Sequence, residues 1–378
     1  MYLNYLKVKH FKDLGVNDVF IKALNELSIK HPTEIQEQVI PRLLNTESDL
    51  IGQAQTGTGK TAAFGLPILQ NTDVKLKEIQ TLVLCPTREL GQQIAKQFFK
   101  FTKYSDRIFT EAVYGGEKID RQINALKRTT HIVVATPGRL IDLLQRKALS
   151  LSHVNTIVLD EADEMLSMGF KKELNSILNH IPSSSKKWLF SATMPVSIRE
   201  IINHHMSKEA YKVQINAKNI VNENIEHQYF VCDEKQKFNI LNEFLKSKNK
   251  QRGIVFCRTK KSAKDLAEQL ITKKYATDAI HGDLQQKERD KVMRAFKNKH
   301  LQFLVATDIA ARGIDVASLS YILHYELPES VEYYTHRSGR TARAGRRGLS
   351  LALIREYERK KIASYEKFLE IKFKRIKY

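Results

Sequence analysis

No apolar run in this sequence approaches the roughly 20 residues that a membrane-spanning helix needs. The first eleven residues are interrupted by Lys7, Lys9 and His10, so no unbroken apolar core of a secretory signal is expected. Cysteine is scarce. Cys85, Cys232 and Cys257 stand far apart with no C-x-x-C pair, which disfavours a disulfide framework or a zinc site and favours buried thiols in a reducing, cytoplasmic compartment. Acidic residues are also in deficit: 42 Asp and Glu face 62 Lys and Arg, an excess of 20 positive charges. A field of that sign attracts polyanions, nucleic acid first and an anionic membrane surface second, and charge alone does not separate the two. Short-period repeats and low-complexity tracts are missing as well, and the 42% hydrophobic and 28% charged content is that of a globular and not a disordered chain.

What is present is a repeated alternation of short apolar runs and longer amphipathic stretches. The runs Thr81–Cys85, His131–Ala135, Thr156–Leu159 and Lys187–Phe190 form one series. After a break come Gly253–Cys257, Thr277–Ile280, Leu301–Ala306, Leu319–Leu323 and Leu349–Ile354. Rich in Val, Ile and Leu and lacking alternation, they suit strands of parallel sheets buried on both faces. Stretches such as Leu90–Tyr104 and Lys261–Lys273 are long enough for crossover helices. The pattern reads as α/β architecture occurring twice, in a chain long enough for two cores. The polar stretch 216–224 reads as a linker between a domain at 1–215 and another at 225–356, and 357–378 reads as a basic helical tail.

Two motifs carry chemistry. Ala54-Gln55-Thr56-Gly57-Thr58-Gly59-Lys60-Thr61 follows apolar Leu50-Ile51 and precedes a helical pattern. It matches the Walker A phosphate loop with alanine for the first glycine. Its glycines let successive N–H groups point at phosphate, and the following helix adds the positive end of its dipole. Lys60 would reach the terminal phosphates, and the Thr61 hydroxyl would hold Mg²⁺. Asp160-Glu161-Ala162-Asp163 directly follows the run Thr156–Leu159. Alone, such a tetrapeptide is more often a solvated helix start. At the end of a strand that could lie beside the Walker strand, Asp160 would hold Mg²⁺ and Glu161 would orient and deprotonate water. Asp163 reads as a coupling residue.

With these motifs in place the sequence resembles the DEAD-box RNA helicases of superfamily 2, over about Phe11 to Ile354. The further motifs stand in the family's order: Phe11 with Pro32–Gln36, Pro86-Thr87-Arg88-Glu89-Leu90, Gly115-Gly116, Thr136-Pro137-Gly138-Arg139 and Ser191-Ala192-Thr193. The second half carries Val255–Thr259, His281-Gly282-Asp283, Gln285 with Arg289, Ala306-Thr307-Asp308, Arg312–Asp315 and His336–Arg343. The resemblance implies two tandem RecA-like domains, each a mostly parallel sheet flanked by helices. It also implies ATP as substrate, with Mg²⁺, hydrolysed with RNA stimulation and coupled to local, non-processive remodelling of RNA.

It further implies roles for single residues. The Gln36 amide would read the adenine edge, with Phe11 stacking on the base. Asp315 would contact the ribose. Arg340 and Arg343 resemble arginine fingers, typically worth ~10³–10⁵ in rate. Ser191, Thr193 and His336 join Asp163 in coupling nucleotide state to RNA grip. Pro86, Thr87, Arg88, Gly115, Gly116 and Thr136–Arg139 would grip phosphates without reading bases, and Arg258, Thr259, Gly282, Asp283, Thr307 and Arg312 would continue that track. The implied partners are RNA, single-stranded or in short duplexes, in ribosomal precursors or RNA decay, and no membrane. A DNA helicase of the same superfamily and a non-enzymatic RNA clamp compete with this reading. Asp163 and the Gln36 motif argue against the first; intact Lys60, Asp160, Glu161, Arg340 and Arg343 argue against the second. The departures from the family pattern are Ser28, Ser338 and Ala342, where glycine, isoleucine and glycine are usual.

Overall fold

The computed structural model describes residues 9–55, 57–215, 224–311, 319–342 and 346–377, apart from the side chain at 309. The chain divides into two compact units, Met1–Ile215 and Asn216–Tyr378. Of the linker expected at 216–224, all but Asn224 lies outside the described residues.

The first unit is built on strands β1 (Leu50–Gln53), β2 (Thr81–Leu84), β3 (Thr110–Val113), β4 (Ile132–Ala135), β5 (Thr156–Leu159), β6 (Lys186–Ser191) and β7 (Tyr211–Gln214). They pair in the order β3-β4-β2-β5-β6-β1-β7, every pair parallel. The central runs do not alternate because both faces are buried. Val83, Val134 and Val158 face one apolar cluster, and Leu82, Leu84, Val133 and Leu159 face the other. The outer strands β3 and β7 escape the apolar signal. Each buries only one of its four residues, so Thr, Glu, Lys and Gln are tolerated there.

The second unit repeats the plan with β8 (Ile225–Val231), β9 (Gly253–Cys257), β10 (Thr277–Ile280), β11 (Phe303–Thr307), β12 (Tyr321–His324), β13 (Gly348–Ile354) and β14 (Lys374–Arg375). The order is β10-β11-β9-β12-β13-β8-β14, again parallel throughout. Gly253 opens β9 because the Tyr321 ring of the neighbouring strand fills the space a Cβ would need. The stretch read as a basic helical tail holds a helix, Arg359–Leu369, but its apolar side belongs to the unit's core. Ile362, Tyr365, Leu369 and Phe373 are buried with Ile225, Tyr334 and Ala352, and the segment ends by pairing with β8. The three cysteines are free and buried, and burial pushes the Cys257 thiol up to about 12.

Candidate functional site

In a parallel sheet all strands end on the same rim, and loops leaving that rim meet. In the first unit every motif residue from Ala54 onward stands at or just beyond that rim. β1 delivers the phosphate loop. Gly59 adopts φ +94, and a Cβ there would lie 2.4 Å from Gln36 Nε2, so only glycine fits. It caps the helix Lys60–Asn71, whose first residue is Lys60. The buried Lys60 ammonium donates to the Ala54 carbonyl at 2.9 Å, and Thr58 Oγ1 donates to the Gln55 carbonyl at 2.8 Å, so the loop closes on itself. Thr61 follows, half-buried, in the helix's first turn. Thr56 lies outside the described residues.

Asp160 and Glu161 leave β5. Here the structure corrects one expectation: β5 does not lie beside the Walker strand, because β6 separates it from β1. The inserted strand brings Ser191-Ala192-Thr193 between the phosphate loop and the acidic cluster. The Ala54 N–H donates to the Ser191 carbonyl at 3.0 Å. On the other side, Asp163 Oδ2 accepts from the Thr193 N–H at 2.9 Å and the Thr193 hydroxyl at 2.8 Å. Ser191 Oγ accepts from the Asp163 N–H at 3.3 Å and donates to the Thr193 carbonyl at 2.7 Å. Burial pushes the Asp160 carboxyl up to about 7, against the pull of the Lys60 ammonium and with a push from the Glu161 carboxylate. Glu161 has φ +52, a left-handed conformation a glutamate adopts only at a cost of order 1–3 kcal/mol.

Gln36 is buried on the helix Glu34–Asn45. Its Oε1 accepts from the Thr33 N–H at 2.9 Å and its Nε2 donates to the Gly59 carbonyl at 3.0 Å. The amide thus ties a helix cap to the phosphate loop and keeps one N–H and one lone pair for a ligand. Phe11 is 3% exposed and packs in the apolar cluster that also holds Leu14, Phe20 and Val39.

The loops after β2, β3 and β4, which are neighbours, hold the remaining motifs of this unit. Pro86 leads to Thr87, whose hydroxyl accepts from the Leu90 N–H at 3.3 Å and caps the helix Arg88–Phe101. The Arg88 guanidinium lies 4.7 Å from the centre of the Tyr114 ring, just before Gly115 and Gly116. Thr136 caps the helix Pro137–Gln145, which carries Gly138 and Arg139. Arg139 is largely turned to the protein: it donates to Gln122 Oε1 at 2.7 Å and to the Glu117 carbonyl at 3.0 Å. It fastens the loop that carries Gly115 and Gly116.

The second unit repeats this on its own rim, where β10, β11 and β9 are neighbours. Thr259 caps the helix Lys260–Thr272, accepting from the Ser262 N–H at 3.0 Å. The Arg258 guanidinium meets Glu329 at 3.2 Å. Asp283, next to Gly282, pairs with Lys260 at 2.5 Å, which draws its carboxyl below the usual range. Thr307 is buried at the end of β11. His336 lies in the last turn of the helix Val331–Ser338, followed by the largely buried Arg340. Arg312, Asp315 and Arg343 lie outside the described residues.

Sequence reasoning assigned no role to Arg337 or Asp308, and the structure joins them. Arg337, 1% exposed, makes two bonds to the Asp308 carboxylate at 2.5 and 2.7 Å and a third to the Glu326 carbonyl at 2.8 Å. A buried arginine must be paired. The two residues lie 29 apart in the sequence, and only the fold shows the pair. Among the described residues, no group of three or more His, Cys, Asp or Glu is arranged to hold a metal. Mg²⁺ asks for fewer: it takes one or two protein oxygens and fills the rest with water and phosphate. Thr61 and Asp160 fit that demand.

The fold and rim residues define a two-unit nucleoside-triphosphatase of the phosphate-loop class. Comparison with known proteins narrows this. Residues 33–201 match the DEAD/DEAH box helicase family, and residues 236–345 match the helicase conserved C-terminal domain. A DEAD-box ATP-dependent RNA helicase CshA of Geobacillus kaustophilus is 43% identical over 367 residues, covering 97% of this chain and 78% of the relative. That of Bacillus subtilis is 41% identical, covering 97% and 74%. Among solved structures, Saccharomyces cerevisiae Dbp5 bound to RNA and ADP-BeF3 superimposes with a TM-score of 0.89 at 29% identity, covering 97% of this chain and 95% of that one. Mss116p bound to single-stranded RNA and AMP-PNP gives 0.87 at 28%, covering 100% and 81%. The chain belongs to the DEAD-box ATP-dependent RNA helicases: an ATP-hydrolysing enzyme of two RecA-like domains.

Proposed function

We propose that ATP is held on the loop Ala54–Thr61 and that RNA runs over the loops after β2, β4 and β3 and over their counterparts in the second unit. The observation that carries this reading is the division of one rim. The phosphate loop leaves β1, the acidic cluster leaves β5 and the Ser191–Thr193 link between them leaves β6, while a set of small, hydroxyl and arginine residues leaves β2, β4 and β3. The Asp163–Ser191–Thr193 bonds join acid cluster and phosphate loop, so a change at the nucleotide is felt along the rim.

In this reading Lys60 and the loop N–H groups bind the phosphates. The free edge of the Gln36 amide selects adenine, while Phe11, expected to stack on the base, is 3% exposed and packs in the core. Thr61 and Asp160 hold Mg²⁺, which neutralises phosphate charge when bound. Glu161 orients water and takes its proton. Arg340 and Arg343 stabilise charge on the transferring phosphoryl group, and Asp315 and His336 complete the second unit's share. Hydrolysis then needs both units, joined through 216–224, to engage ATP and RNA together. Thr87, Arg88 and the N–H groups near Gly115, Gly116 and Gly138 suit phosphate oxygens, with Arg139 positioning their loop. Gripping one strand in this way parts short duplexes locally and without processive travel. The natural RNA targets are ribosomal-precursor or decay intermediates in the cytoplasm.

The test is Glu161→Gln. Loss of the general base costs typically 10²–10⁴ in rate, so ATP turnover should fall by at least about a hundredfold while RNA binding persists. Unchanged turnover would remove Glu161 from the chemistry.

A further inference from the structure

The C-terminal segment is strongly basic. Residues 359–377 hold eight lysines and arginines against only Glu366 and Glu370. The helix Arg359–Leu369 turns Ile362, Tyr365 and Leu369 into the core. Its opposite side presents Lys360, Lys367 and Phe368, at the i, i+7, i+8 spacing of one helical face. Phe368 is 59% exposed, and Tyr357, three residues before Lys360, is 69% exposed. Lys372, Lys374 and Arg375 extend the exposed cations to the sheet edge. Large exposed aromatics cost hydration, and among cations they offer faces on which bases stack.

The strip is continuous with the second unit's rim. β13 ends on that rim at Ile354, so the helix that follows starts there and runs back along the sheet. Lys361 lies near enough to Arg258 and Arg337 that burial and then the Arg258 charge lower its ammonium's pKa. The carboxylates of Glu329 and Glu358 only partly offset this.

We propose that the exposed face Tyr357–Lys360–Lys367–Phe368–Lys372 is a second RNA-binding surface, which takes the stretch of strand or duplex arm leaving the Arg258 end of the rim. It rests on the RNA reading above. Its cations neutralise backbone phosphates without reading sequence, and Phe368 stacks on an unpaired base.

The experiment compares the full chain with Lys360→Gln/Lys367→Gln/Lys372→Gln on single-stranded RNA of about six and about twenty nucleotides, over a salt series, with far-UV circular dichroism confirming the fold. Three lost phosphate contacts should lower the salt slope for the long strand by about 2. The long strand's affinity advantage should shrink at least tenfold while the short strand binds as before. The corresponding triple substitution to arginine should restore both, and Phe368→Ala should weaken the long strand at least about fivefold. Equal slopes and affinities for the glutamine variant and the unaltered chain would overturn the proposal. So would loss of binding to an acidic protein or anionic vesicles with RNA binding intact. Failure of the unaltered chain to bind either RNA would instead refute the reading on which the proposal rests.

Discussion

Ala342 and Ser28 both hold a backbone conformation that favours glycine, with φ +54 and +59. At both positions the helicase family usually has glycine, so the two departures carry a cost that the sequence alone does not display. A left-handed non-glycine residue costs roughly 1–2 kcal/mol, part of which glycine returns through its greater freedom when unfolded. Ala342→Gly and Ser28→Gly should each raise stability by up to about 1 kcal/mol, read as a higher urea midpoint at unchanged slope. A lower midpoint would show that packing at these sites outweighs the strain. Glu161 bears the same kind of strain just after β5, where relieving it would displace the carboxylate. At this scale the phosphate loop was legible because its chemistry is local, a strand, two glycines and a lysine in sequence. Arg139 was not: its partners Gln122 and Glu117 come from the loop and helix after β3.

The helix Val331–Ser338 shows what another departure does. Ser338, where isoleucine is usual, is fully buried, with Oγ 2.9 Å from Ser350 Oγ. Ser350 also meets the Tyr334 hydroxyl at 2.9 Å and His324 Nε2 at 3.0 Å, and Tyr334 meets His227 Nδ1 at 2.5 Å. The serine thus joins a buried hydroxyl–imidazole network that anchors the helix leading to Arg340. Burial holds the His227 imidazole down to about 4, and burial with the Arg337 charge also holds His324 well below the usual imidazole range. Unfolded, both titrate near 6.5. Between pH 6.5 and 4 the unfolded chain therefore binds more protons, and stability falls as pH falls through that window. For His227 the loss reaches about 3 kcal/mol at full titration. Trp188 is the only tryptophan and lies in the first unit, so its fluorescence follows that unit while far-UV circular dichroism follows both. Lowering the pH from 7 to 4.5 should shift the dichroism transition more than the fluorescence one; equal shifts would contradict it. The nine apolar runs were readable as strands because both their faces are buried. β3, β7 and β8 were not, being partly exposed, and β14, only two residues long, offers no run to read. The place of β6 between β1 and β5 was equally hidden, since strand order depends on where each crossover helix packs.

For the whole molecule, the repeated parallel sheet explains why motifs scattered along each half of the chain meet on one rim. Each unit gathers its strand ends on one rim: the first unit's rim carries the phosphate loop and the acidic cluster, and both rims carry hydroxyl and arginine residues suited to a polyanion track. The net charge of +20 supports that track without choosing between RNA and DNA; the choice rests on contacts to the 2′-OH. The most direct test is ATP hydrolysis by the purified chain alone, with single-stranded RNA, and with an equal amount of single-stranded DNA. Strong stimulation by RNA and little by DNA is the expected result. Equal stimulation by both, or none by either, would contradict the coupling of this ATP site to RNA.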